Sequence, residues 1–101
     1  MKKKFFSQIE WLDFSEGGRK VIPEEGARYG PLIELDDYEL ESESRWSVVF
    51  VCPNFDKTNK IIFSFLSDSA PENRIEIGHR YYLYEGRKKV ATIIVEKIIM
   101  Q

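Results

Sequence analysis

Apolar and β-branched residues recur along this chain in short runs, separated by polar links that hold Gly, Pro, Asn or Asp. No window of about eleven residues repeats them at the three-and-four spacing of an amphipathic helix. Phe5 to Phe14 alternates imperfectly, with Phe5, Ile9 and Trp11 toward one face and Phe6, Leu12 and Phe14 toward the other. Ser15 to Gly30 then reads as a loop with four glycines and Pro23, a composition that marks positive φ or close backbone approach. Pro31 to Asp36 is a short strand, its proline at the first position as strand prolines usually are. Asp37 to Arg45 is an acidic connection or exposed edge. Trp46 to Cys52 is a β-rich run stopped by Pro53, Asn54 to Lys60 is a turn, and Ile61 to Leu66 is the returning strand. After the turn residues Ser67 to Glu72, His79 to Tyr84 and Val90 to Ile99 form a final hairpin around Glu85 to Lys88. Six strands with short polar links in 101 residues predict one all-β domain, a barrel or sandwich.

Strand parity nominates Phe5, Ile9, Trp11, Val48, Phe50, Ile62, Leu83, Ile94 and Ile98 for the core. Two stretches are apolar on both faces, Val48 to Val51 and Ile93 to Val95, whereas the outer face of a free-standing barrel should be polar. Either the Ser15 to Gly30 loop covers them or they form an interface. A homodimer through Ile93-Ile94-Val95 and Ile98-Ile99-Met100 is one such interface. Burial at about 25 cal/mol per Å² would favour it, against the entropy of association.

Hydrophobic residues at 43% and charged residues at 32% are those of an ordinary globular domain. An aromatic share of 14% favours strands. No stretch approaches the roughly 18 apolar residues of a membrane helix. Lys2 to Lys4 with Phe5 and Phe6 opens like a signal peptide, but Ser7, Gln8, Glu10 and Asp13 break the apolar region. The expectation is a cytoplasmic protein with no membrane partner. Cys52 is the only cysteine, which excludes an internal disulfide and a thiolate zinc cluster; a buried thiol is expected there. The net charge of −2 argues against a general nucleic-acid binder. Basic residues nevertheless cluster at Arg19-Lys20 and Arg87-Lys88-Lys89, and acidic ones between Glu34 and Glu43.

The chemistry-bearing residues form no catalytic set. His79 is the only histidine, so two-histidine catalysis and His-rich metal sites are excluded; a structural role is expected for it. The carboxylates from Glu34 to Glu43 lack the turn glycine and spacing of a calcium loop and read as a solvated edge that discourages strand pairing. Glu16-Gly17-Gly18-Arg19 lacks the spacing and the Lys-Ser/Thr ending of a phosphate loop, and no Ser sits in a Gly-x-Ser-x-Gly turn. Arg45 beside Trp46, and Arg80 among Tyr81, Tyr82 and Tyr84, have the composition of a base-stacking surface, although alternating strand aromatics more often fill a core. The expectation is a non-catalytic protein without metal or cofactor.

Two Gly-punctuated blocks carry a family resemblance. Lys4 to Arg19, through Lys4, Phe5, Ser7, Leu12 and the Glu16-Gly17-Gly18-Arg19 loop, is similar without a gap to the start of the third domain of elongation factor Tu. Gly30-Pro31 after Arg28-Tyr29 resembles the opening of that family's next strand. Arg80 to Gly86 and Val90 to Ile98 resemble its last hairpin through Arg80, Tyr81, Leu83, Glu85, Gly86, Val90, Val95 and Lys97. Asp36 to Gly78 matches only in strand count, so the resemblance covers about half the chain. The chain departs from the family at Arg87, where a second loop glycine is usual, and at Ala91 and Ile93 in the last strand.

The resemblance implies a single six-stranded antiparallel β-barrel closed by its first and last strands. In the family that barrel contacts a GTPase domain, an exchange factor and the T-stem of aminoacyl-tRNA; the GTPase and second barrel have no counterpart here. By carry-over, Arg19, Glu85, Gly86, Arg87 and Lys88 are the candidate partner-binding residues. The function implied is docking of a macromolecule, a protein first, as in a small bacterial accessory protein that imitates the translation factor's barrel. RNA binding is the alternative, and it requires Arg19, Arg87, Lys88 and Lys89 to converge. A small enzyme is the least favoured reading.

Overall fold

A computed structural model of the chain describes residues 2–13, 21–35 and 45–100. The β-rich runs become strands β1 (Lys3–Trp11), β2 (Arg28–Tyr29), β3 (Leu32–Glu34), β4 (Arg45–Val51), β5 (Lys60–Phe65), β6 (Arg80–Glu85) and β7 (Lys88–Met100). A 3₁₀ turn, Glu72–Arg74, follows Pro71. Every pairing is antiparallel, and the order β4-β3-β6-β7-β1-β5 returns to β4, which closes a six-stranded barrel with β2 as an extra strand. β2 is continuous in register with β3 along one flank of β4. Tyr29 faces Phe50, Leu32 faces Ser47, and between them Pro31 O accepts from Val48 N–H at 3.0 Å. Proline brings no N–H to that ladder, so the strand breaks at Gly30-Pro31 without losing alignment.

The longest seam joins β1 to β7, from Lys3↔Met100 to Trp11↔Ala91. Phe6 pairs with Lys97 and Ser7 with Val95, which leaves Glu96 as an extra residue and reverses the parity of β7 there. A second irregularity pairs Leu83 with Ala91 and Tyr84 with Lys89, leaving Val90 over. Val90 and Ala91 are accordingly both buried. These two bulges explain how a 13-residue strand bends around a small barrel.

Phe5, Ile9, Val48, Phe50 and Leu83 lie in the core as expected. Phe5 stacks on Phe63 at 4.9 Å between centroids and meets Phe65 edge-on at 5.9 Å. Trp11 and Ile98 are only partly buried against this cluster. Ile62 and Ile94 correct the expectation. Phe5 faces Phe63 and Phe6 faces Ile62, so β5 turns Ile61, Phe63 and Phe65 inward and leaves Ile62 46% exposed. On β7 the bulge at Glu96 puts Ile98 inward on one side and Ile93 with Val95 on the other, so Ile94 faces out. Ile93 and Val95 are thus unavailable to the expected homodimer contact. Ile99 is half-buried and Met100 is 60% exposed.

Val51 stays 64% exposed, so the described part of the 15–30 loop does not cover the outer face of β4. The strand end expected at Phe14 and the connection from Asp37 to Ser44 lie outside the described residues. Among the described residues no helix is long and apolar enough to cross a membrane, which leaves strands untested. The inward set on β5 predicts a sharp contrast between neighbours. Phe63→Ala should destabilise by about 3–5 kcal/mol and Ile62→Ala by less than about 1 kcal/mol in urea denaturation; equal losses would reverse the assigned parity.

Candidate functional site

Four of the five expected partner-binding residues sit together at the β6–β7 turn. Glu85 pairs with Lys88, so the loop is the two residues Gly86-Arg87. Gly86 has φ 61° and no non-glycine among the described residues has positive φ, the pattern of a II′ turn with Gly at its first central position. Such a turn requires only one glycine, which leaves its second central position open to Arg87. Arg87 and Lys88 are exposed. Half-buried Glu85 accepts a hydrogen bond from the hydroxyl of buried Tyr29, tying the turn to β2. Arg19, the fifth, lies outside the described residues.

The barrel wall beside this turn adds residues from distant segments. β3 lies between β4 and β6, which sets Glu34 against Arg45 on one side and Tyr82 on the other. The Arg45 guanidinium stands 3.7 Å from the Tyr84 ring centroid and donates to Glu34 Oε2 and to Gly86 O, both at 3.3 Å. Tyr84 OH donates to Glu34 Oε1 at 3.3 Å. Lys89 Nζ lies 3.8 Å from the Tyr82 ring centroid. Exposed cation–π contacts contribute about 0.5–1 kcal/mol each, and an exposed ion pair contributes less. This wall presents oriented cations over aromatic rings. The two aromatic–basic clusters in the sequence contained Arg45, Tyr82 and Tyr84; their meeting with Glu34 and Lys89 depended on strand order.

Along the other edge of β4 the seam with β5 is half open. The strands pair at Val48↔Phe65 and Val49↔Ser64, and Leu66 N–H donates to Ser47 O at 3.0 Å. Beyond that they follow different neighbours. The end of β4 stays with β2, where Cys52 N–H donates to Ala27 O at 2.8 Å. The start of β5 stays with β1, where Ile9 N–H donates to Asn59 O at 2.8 Å. The connection is a wide loop based on Asn54, whose O accepts from Lys57 and Thr58 N–H.

The parting leaves a cleft of about 590 Å³. Its floor is core residues Phe50, Ile61 and Phe63; its apolar rim is Phe6, Val49, Val51, Ile62 and Ile99. The charged side chains lining it are Lys4, Arg28 and Lys60, all cationic. Lys60 Nζ is paired with Glu96 at 2.7 Å.

The remaining titratable candidates, His79 and Cys52, pack against other side chains. The His79 ring lies 4.6 Å from the Tyr81 centroid, and Tyr81 OH accepts from Glu76 N–H at 2.8 Å. Cys52 is 2% exposed within the core cluster. No group of three or more His, Cys, Asp or Glu that could hold a metal occurs among the described residues. The turn geometry has a direct test. A Cβ at Gly86 meets nothing within 4 Å, so the cost of a side chain is conformational alone. Gly86→Ala should cost about 1–2 kcal/mol and Gly86→Asn less, because Asn tolerates positive φ; thermal denaturation ranks the variants, and an unchanged Gly86→Ala would remove the II′ assignment.

No protein-family model and no curated protein matches the chain, so the cleft, the cationic wall and the resemblance in the end blocks are the ground for a functional reading.

Proposed function

We propose that this chain is a non-catalytic binding module in which a barrel of the elongation factor Tu third-domain type docks a macromolecular partner, a protein, in the cytoplasm. The observation that carries this reading is the apolar outer wall around the β4–β5 cleft. Val51 is 64% exposed and Ile62 46% exposed, and they share the cleft rim with Phe6, Val49 and Ile99. A contiguous apolar surface on the outside of a barrel is characteristic of an interaction site. Partner contacts through Glu85, Gly86, Arg87 and Lys88 extend the proposal to the β6–β7 turn.

RNA binding is the second reading, favoured by Arg45 and Lys89 held over Tyr84 and Tyr82 beside Arg87 and Lys88. Cations beside aromatic rings suit phosphates and unpaired bases. The chain's net charge of −2 disfavours it.

Photo-activatable residues placed at Ile62 and at Lys88 separate the two readings in extract from the source cells. The protein reading expects a discrete protein adduct from the Ile62 position; no protein adduct from either position would contradict it. The RNA reading expects RNA retention whose salt slope falls when Lys88→Glu and Lys89→Glu are introduced. Retention that is absent, or unchanged in the variants, would end that alternative.

A further inference from the structure

The open half of the β4–β5 seam presents backbone as well as side chains. Along β4, Val48 N–H and Cys52 N–H are given to the β2–β3 flank, so the intervening odd residues address β5. Along β5, Asn59 O accepts from β1 and Leu66 N–H is given to β4. Odd residues of β5 therefore address β1 and even residues address β4. By this alternation the N–H and C=O groups of Val51 and Ile62 point into the cleft. In the register set by Val48↔Phe65 and Val49↔Ser64 those two residues would face each other, but the pairing stops before them. Lys60 N–H is taken by Thr58 Oγ1 at 3.2 Å. Unpaired strand groups beside exposed Val and Ile side chains are the condition under which another extended chain adds to a sheet.

We propose that the β4–β5 cleft receives an extended acidic–apolar segment of a protein partner, which pairs as a strand with the open edge of β5. This inference rests on the binding-module reading and supplies the chemistry of the partner. The edge from Lys60 to Phe63 spans about 10 Å at roughly 3.3 Å per residue, room for a short strand. Alternate side chains of such a strand face opposite ways, one set toward Phe50, Ile61 and Phe63 on the floor and the other toward Phe6, Val51 and Ile62 on the rim. The acidic character follows from the lining charges, which are Lys4, Arg28 and Lys60 without a carboxylate. Of these three cations, only Lys60 has an anionic partner among the described residues, Glu96. An anionic amphiphile would satisfy the apolar walls and the cations but leave the amide groups of Val51 and Ile62 unpaired, and each group it desolvates without a partner weakens its binding. A peptide backbone satisfies all three.

The test uses the whole chain and a fluorescein-labelled hexapeptide of alternating Glu and Val. Three competitors accompany it: the Lys–Val peptide, the Glu–Val peptide N-methylated at alternate residues, and oleate. Anisotropy should show saturable binding of the Glu–Val peptide, at least tenfold weaker for the Lys–Val peptide, for the N-methylated peptide and for the Arg28→Glu and Ile62→Lys variants. Backbone amide NMR shifts should concentrate at Val51 and Ile62. Equal binding of the N-methylated peptide or of the Lys–Val peptide would overturn strand addition by an acidic segment, as would displacement by oleate as effective as that by the unlabelled Glu–Val peptide. Sedimentation covers the remaining occupant: a dimer of the wild type abolished by Ile62→Lys assigns the cleft to a second copy and overturns the peptide. Absence of peptide binding together with a protein adduct from Ile62 would reject this inference and leave the binding-module reading standing; absence of both would reject the two together.

Discussion

Everything in this barrel is arranged around β1, because that strand holds the last strand on one edge and β5 on the other. Its inward residues, Phe5, Ser7 and Ile9, are all buried, and Phe5 is the point where the aromatic rings of β5 meet. Loyalty of β5 to β1 also sets the opposite feature. Since β5 follows β1 as far as Asn59 while β4 follows β2 as far as Cys52, the two strands separate where their connecting loop is widest. Closure on one side and the cleft on the other are two results of the same pairing preference.

Strand positions were legible because Gly, Pro and polar residues bracket each apolar run. Pro53 ends β4, Asn54 shapes the turn after it, and Gly86 allows the two-residue hairpin between β6 and β7. Strand faces were less legible. Ile61-Ile62-Phe63 is apolar at every position, so alternation alone cannot choose which isoleucine is inside, and a slip of one residue inverts the strand. Only the partner Phe5, fixed opposite Phe63, decides. The bulge at Glu96 is invisible for a similar reason. One extra residue in a long β-branched strand changes no composition, yet it sends Ile94 and Ile98, which unbroken alternation would keep on one face, to opposite faces.

The candidate sites divide in the same way. The β6–β7 turn was readable from Glu85 to Lys88 because a local motif defines it. Arg45 over Tyr84 was not, since β3 must first lie between β4 and β6 to bring them together. The cleft was half readable: Val48 to Val51 declares itself as a strand apolar on both faces. Its partner across the gap, Ile62, looked like core, and nothing local signals that two otherwise paired strands will part.

The central physical claim is that the barrel is closed at five seams and open along half of the sixth. Residue-resolved amide hydrogen exchange of the free protein tests it most directly. The account predicts fast exchange at Val51 and Ile62 beside slow exchange at Cys52 and Phe63, whose amides belong to the β2 and β1 ladders. Protection of Val51 and Ile62 equal to that of those neighbours would show a sealed seam and contradict the account.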